Sequence, residues 1–143
     1  PNIRKTVLAA AVLLTLCLAA CSAETTSEDA FTVRVVCESD GVWQIFYSCY
    51  LDGEYYGMGG MADLDGVELT EDTDLSVSFT RSFLGEDADL SQFSIDFSPY
   101  GENDTSEIGT TNQVAINAEY GQSYTVVLSG DRESGFQAEL QEP

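Results

Sequence analysis

The chain from Phe31 onward repeats one pattern, in which short segments of alternating apolar and polar residues are separated by turn signals. Alternation with a period of two places one side of a β-strand in a core and the other side in solvent. Glycine and polar residues between the segments favour tight turns, as at Asp52-Gly53 and Tyr120-Gly121. Many short strands at near-regular spacing, with no convincing helix, predict an all-β fold: an antiparallel β-sandwich of about seven or eight strands.

The predicted strands follow the alternating segments. They cover 31–37, 42–51, 54–61, 75–83, 92–98, 112–118, 123–130 and 135–140, with a further short strand expected at 67–69. Glycines interrupt the segment 54–61, which should therefore bend or carry a β-bulge. Residues 85–89 are expected to form an acidic loop or one helical turn.

One short motif makes the sandwich prediction more specific. Gly121-Gln122-Ser123-Tyr124 follows a predicted strand and resembles the E–F corner of fibronectin type III and other Ig-like domains. In those domains a tyrosine begins strand F, and its hydroxyl bonds back to nearby backbone. The resemblance implies an Ig-like sandwich in which Tyr124 is the corner residue at the start of strand F and 135–140 is strand G.

The N-terminal residues have the features of an export signal. Arg4 and Lys5 precede an uncharged apolar run from Val7 to Ala20, which at ~1.5 Å per residue is short for a membrane-spanning helix. Small residues at the end of the run lead into Cys21, and the segment resembles a bacterial lipoprotein signal peptide with its lipobox. The resemblance implies cleavage after Ala20 and a lipid on Cys21. A transmembrane anchor and an unmodified secretory peptide are the alternatives.

This interpretation divides the chain into a signal peptide (1–20), a flexible acidic tether (21–30) and a β-sandwich domain (31–143). Lipid on Cys21 would hold the protein to the bacterial cell membrane, facing the extracytoplasmic side. Stable anchoring requires two or more acyl chains, because one chain gives only marginal and reversible binding.

Charge and composition exclude several classes of function. The formal net charge is −20, and Arg4 and Lys5 belong to the signal, so the exported part is more acidic still. A nucleic-acid-binding protein needs a basic surface to neutralise phosphates, so nucleic acid is excluded as a partner. The chain has no histidine and no lysine after Lys5, which removes imidazole-dependent, Schiff-base and P-loop mechanisms. We therefore predict that the protein is not an enzyme.

Cys37 and Cys49 remain in the exported part, where oxidation is permitted. The alternation places both side chains toward the core, together with Trp43, Ile45 and Tyr47 on the second strand. In a tight hairpin their Cα atoms would lie beyond the ~7 Å limit for a disulfide. A bond therefore requires strands that are not neighbours in register, for example strands facing each other across the sandwich. A disulfide and two buried free thiols both stay open.

The acidic segment 63–74 is the candidate metal site. Asp63, Asp65 and Glu68 could supply the hard oxygen ligands that Ca²⁺ takes. The segment departs from an EF-hand loop, because Gly66 comes too early and the twelfth position is Asp74 instead of glutamate. Ca²⁺ is the one cofactor that the sequence suggests, and a solvated acidic loop is the alternative.

Tyr50, Tyr55 and Tyr56 flank the Asp52-Gly53 turn and are the candidate ligand-binding residues. Exposed aromatic rings backed by carboxylates can stack on sugars, whereas aromatic residues in sandwiches also fill the core.

Together these features predict a lipid-anchored, non-catalytic cell-envelope domain that binds a protein or a glycan. A structural or accessory lipoprotein of an envelope or transport assembly is the alternative, and a weak Ca²⁺-binding surface module is the third candidate. A contiguous exposed aromatic patch would favour the binding domain, and an apolar edge strand would favour assembly.

Overall fold

The computed structural model describes residues 26–143, in which eight strands form two four-stranded sheets. The strands are β1 (Ala30–Cys37), β2 (Gln44–Leu51), β3 (Glu54–Ala62), β4 (Leu75–Thr80), β5 (Phe93–Tyr100), β6 (Val114–Ile116), β7 (Ser123–Asp131) and β8 (Gly135–Leu140). A helical turn, α1 (Arg81–Leu84), and a 3-10 turn (Leu90–Gln92) connect β4 to β5. The predicted signal peptide, Cys21 and tether residues 21–25 lie outside the described residues.

Sheet A has the strand order β4-β1-β7-β8, and sheet B has the order β3-β2-β5-β6. Neighbouring strands are antiparallel throughout, except that β1 and β7 run parallel. Both sheets contribute apolar side chains to one core. The all-β prediction and the arrangement in two layered sheets are therefore confirmed.

An aromatic cluster joins the two sheets at the centre of the core. Phe31 on β1 is fully buried, with its ring centroid 5.3 Å from that of Phe79 on β4 and 5.0 Å from that of Phe93 on β5. Phe79 also contacts the Tyr47 ring on β2, at 5.7 Å. Edge-to-face and offset-stacked ring contacts of this kind stabilise a core by more than the apolar area that they bury accounts for.

Most strand predictions are confirmed within a few residues, and two are wrong. The segment predicted as 75–83 ends at Thr80, because the Thr80 hydroxyl accepts a hydrogen bond from the Phe83 N–H and begins α1. No strand forms at 67–69; Leu69 is instead buried in the core, and its N–H donates to the Val42 carbonyl at 2.8 Å.

The β2–β3 hairpin shows why the segment 54–61 bends. Asp52 and Gly53 both have positive φ, 52° and 77°, as a two-residue type I′ turn requires. The strand register then shifts between Cys49 and Tyr50, so that Tyr56 is the extra residue of a β-bulge in β3. The predicted turn and the predicted bulge are both confirmed.

The Tyr124 corner forms, although in a different place in the sheet order. The Tyr124 hydroxyl accepts a hydrogen bond from the Glu119 N–H at 2.8 Å and lies 3.5 Å from the Asn117 carbonyl. However, β7 pairs with β1 and β8, whereas the strand beside β2 is β5. In an Ig-like domain strand F shares a sheet with strand C, so the assignment of β7 and β8 as strands F and G is wrong.

Candidate ligand-binding surface

The three predicted tyrosines do not form one group. Tyr50 and Tyr55 are cross-strand partners on the outer side of sheet B, with ring centroids 6.1 Å apart and planes at 77°. Tyr56 turns away at the bulge, where its hydroxyl donates to the Phe83 carbonyl at 2.6 Å and its ring packs edge-on against Phe83. Only Tyr50 and Tyr55 therefore act together.

The pair belongs to a larger patch on the outer side of sheet B, which we call the aromatic face. It consists of Phe46, Tyr50, Tyr55, Met58, Asp96 and Tyr100. Strand alternation brings these residues to one side, because their neighbours Ile45, Cys49 and Phe97 point into the core. Tyr55 and Met58 are 60% and 61% exposed. The face thus presents two aromatic pairs and Met58 to one side of sheet B, among polar residues such as Ser48, Ser98 and Asp96.

A glycine lets the Phe46 ring of the second aromatic pair approach the backbone of β3 closely. The Phe46 ring centroid lies 5.1 Å from that of Tyr100, with the planes at 61°. Phe46 covers the backbone of Gly60, where an added Cβ would meet its ring at 3.2 Å. A side chain at position 60 would push the ring outward.

Asp96 is the carboxylate at the middle of the aromatic face. It is only 8% exposed, stands opposite Ser48 in the β2–β5 ladder, and accepts a hydrogen bond from the Tyr50 hydroxyl at 2.9 Å. Burial raises the pKa of Asp96, and the hydrogen bonds from Tyr50 and the Ser48 backbone oppose this shift only in part.

Replacing Asp96 with asparagine is expected to stabilise the protein at neutral pH. A carboxyl whose pKa is raised by folding stabilises the fold when protonated, at pH below its unfolded value of about 3.9, and this contribution is lost as pH rises through the folded pKa. In Asp96→Asn the amide oxygen of the new side chain can still accept from Tyr50. We expect Tm to rise by about 2–6 °C at pH 7 and the difference to vanish in acid.

Thermal melts of both proteins between acid and neutral pH test this prediction. Glu139→Gln on the exposed side of β8 is the control, since it removes one negative charge elsewhere. A Tm gain equal to that of the control would assign the effect to net charge, against the burial of Asp96.

The cysteines lie on different sheets, and neither is bonded. Cys37 ends β1 in sheet A, Cys49 lies in β2 of sheet B, and both are buried free thiols. The facing-sheet arrangement is thus present without a disulfide. Because β2 begins near the end of β1, Cys49 lies five residues, or about 16 Å, further along the sandwich. Burial raises the pKa of both thiols, which keeps them protonated and unreactive.

The prediction that Trp43 points into the core is wrong. Val42 is fully buried, whereas Trp43 is only half-buried, precedes β2 and donates its N–H to the Tyr100 carbonyl at 2.9 Å. The prediction extends the inward–outward alternation of β2 back to Trp43. The strand begins only at Gln44, so the alternation does not apply to Trp43.

Two of the three candidate metal residues, Asp63 and Glu68, use a carboxylate oxygen to accept a backbone N–H. Asp63 accepts from the Asp65 N–H at 2.8 Å, and Glu68 accepts from the Gly41 N–H. Within residues 26–143 no group of three or more acidic, Cys or His side chains is placed to hold a metal ion. The structure therefore does not bring Asp63, Asp65 and Glu68 together as a site.

A second surface lies on the outer side of sheet A, where a concave region of about 1000 Å³ crosses β4, β1 and the start of β7. We call it the hydroxyl groove and define it by Thr32, Arg34, Ser76, Ser78, Thr80 and Arg81. The segment 26–30 forms one of its walls.

In the part of the chain that the structure describes, no helix is long and apolar enough to cross a membrane.

Sequence reasoning missed Phe46, Met58 and Asp96, although the signal was present. The residues between the inward positions of β2 and β5 are, by the same alternation, the outward set. The hydroxyl groove carried no such signal, because its floor depends on β1 pairing with both β4 and β7.

A comparison with protein-family models finds none that matches this chain, and a comparison with curated protein sequences also finds no match.

Proposed function

We propose that the protein is a lipid-anchored, non-catalytic domain of the bacterial cell envelope that binds its ligand through the aromatic face. The observation that carries this proposal is the Tyr50–Tyr55 ring pair, with Asp96 bonded to Tyr50, on the outer side of sheet B. Clusters of exposed aromatic and apolar side chains are typical of interaction surfaces. The alternative is a structural or accessory lipoprotein of an envelope or transport assembly, and it is favoured by β3, the edge strand of sheet B, which exposes Tyr55, Tyr56 and Met58.

Of the two ligand classes that the sequence suggests, a protein partner fits this face better. Tyrosine, phenylalanine and methionine are enriched at protein interfaces, and here Tyr55 and Met58 are exposed beside half-buried aromatic residues. The ring planes within each pair cross at 77° and 61°, so the face offers ring edges and no continuous platform on which a sugar chain could stack.

We also infer that the sandwich is Ig-like over β1–β6. Support comes from strand pairing: β3-β2-β5-β6 matches the order C′-C-F-G, and β1 beside β4 matches B beside E. On this assignment β7 takes the place that strand A has beside strand B, but runs parallel to β1. The tyrosine corner then marks the entry to this added strand.

Site-specific photo-crosslinking in the native cell envelope tests the binding proposal. A photoreactive residue in place of Tyr55 should give one protein adduct of defined mass, and the same residue in place of exposed Gln137 on β8 should not. Met58→Asp should reduce the Tyr55 adduct at least tenfold, because a charge in the apolar patch costs binding energy.

Equal labelling from both positions, or an unchanged adduct in Met58→Asp, would contradict a role for this face. No protein adduct, together with Tyr55-dependent binding to purified envelope polysaccharide, would replace the protein partner with a glycan. An adduct of twice the chain's mass would identify a second copy as the partner.

A further inference from the structure

The strands that form the floor of the hydroxyl groove carry a run of hydroxyl side chains. The outward positions of this part of sheet A are Thr32, Ser76, Ser78, Thr80 and Ser123, together with Arg34. This concentration of hydroxyls in one concave region is the first sign of a specific surface.

Strand pairing arranges these hydroxyls in a regular array. Thr32 pairs with Ser78 on one side and with Ser123 on the other, which gives a row across three strands at ~4.8 Å spacing. The Thr32 and Ser78 oxygens are 3.0 Å apart. Each hydroxyl can both donate and accept, so the array can match a ligand whose own hydroxyls vary in orientation.

Two guanidinium groups mark the two ends of this floor. Arg34 stands opposite Ser76, and Arg81 follows Thr80, so they bracket the hydroxyls of β4. Arg34 lies 3.6 Å from the Asp74 carboxylate, too long for a hydrogen bond, and Arg81 uses its Nε to bind Asp29 at 3.2 Å. Both keep N–H donors that can serve a ligand oxygen.

The balance of charge and polarity identifies the class of ligand. Two arginines face Asp29, Asp74 and Glu86 within the groove, so its ionised groups nearly cancel. Among the residues that line it, Ala30 is the one apolar residue, which leaves no anchor for an apolar peptide or helix. Many hydrogen-bond donors and acceptors, with charges that nearly cancel and one apolar residue, suit an uncharged, polyhydroxylated chain.

We propose that the hydroxyl groove is a binding site for a neutral glycan, separate from the aromatic face. The two surfaces lie on the outer sides of different sheets, so both ligands can bind at once. The protein would then connect an envelope glycan to the partner on sheet B.

Calorimetric titration of the full-length protein with neutral linear tetrasaccharides of glucose, N-acetylglucosamine and mannose tests the proposal. At least one should bind with a Kd in the millimolar range or tighter. Thr32→Val combined with Ser78→Val should weaken that binding at least tenfold while keeping strand propensity and shape. Arg34→Met should weaken it as well.

The matched control is Ser98→Val with Thr110→Val, which removes a hydroxyl pair of similar geometry, 3.1 Å apart, on the outer side of sheet B. It should bind like the unchanged protein, and so should Tyr55→Ser, which acts only on the aromatic face. Thermal melts of each variant confirm that it is folded before titration.

Three results would overturn the site: no binding by any of the tetrasaccharides, full binding by the Thr32/Ser78 variant, or tighter binding of a galacturonate tetrasaccharide than of every neutral one. None of these results affects crosslinking at Tyr55, so the two proposals can fail independently.

Discussion

Phe31→Ala is expected to remove a large part of the stability of the fold. Phe31 is fully buried and its ring meets those of Phe79, Phe93, Tyr120 and Tyr124, with centroids 5.0–6.3 Å away. Truncating such a residue costs about 3–5 kcal/mol, because it loses buried area and leaves a cavity. Against a total stability of ~5–15 kcal/mol, this change lowers Tm by roughly 10–20 °C.

Thermal and urea unfolding followed by circular dichroism measure the loss. Phe46→Ala is the matched control, because it removes the same side chain from the outer surface of sheet B and should cost about 1 kcal/mol. Equal losses in the two variants would show that the Phe31 cluster is not the centre of the core.

Cys21→Ser is expected to move the protein from the membrane fraction to the soluble fraction without a change in Tm. The sequence around Cys21 resembles a lipobox, and the serine hydroxyl cannot take the place of the thiol to which lipid is joined. Without acyl chains the strongly acidic domain has nothing to hold it to a bilayer whose lipids are also anionic. The expected effect is nearly complete release.

Cys17→Ser is the control, because Cys17 lies inside the apolar run and is predicted to serve there only as an apolar residue. Fractionation and immunoblotting, with intact mass to detect the lipid, compare the three proteins. A Cys21→Ser protein that stays with the membrane would contradict the lipoprotein interpretation and favour a transmembrane anchor.

The strands were predictable because each carries its own local signal. Alternation in Phe93, Ile95 and Phe97 gives the inward side of β5, and Asp52-Gly53 specifies a two-residue turn whatever surrounds it. Predictions failed where a neighbour in space decides. Val42, which accepts from the Leu69 N–H, enters the core in place of Trp43 before β2 begins. The end of β4 is different, because Thr80 caps α1 through a local bond to the Phe83 N–H that the alternation of the strand obscures.

The site was predictable only in part, for a related reason. Tyr50 and Tyr55 are close in sequence, so a hairpin brings them together. Asp96 reaches Tyr50 only because β5 lies beside β2, and Thr32 meets Ser78 only because β1 lies beside β4. Neither pairing has a local signature in the sequence. The Tyr124 corner does have one, but it does not indicate which strands pair with β7.

The parallel contact of β1 with β7 sets the order in which a chain that emerges N-terminus first can fold. Sheet B needs only residues 44–116. One edge of β1, by contrast, stays unpaired until residues 123–128, roughly 90 residues later, pair with it. An unpaired strand edge is a template for mispairing with other chains. The nascent domain therefore depends on the late arrival of the β7–β8 hairpin, and a chaperone that assists its folding is expected to act on the open edge of β1.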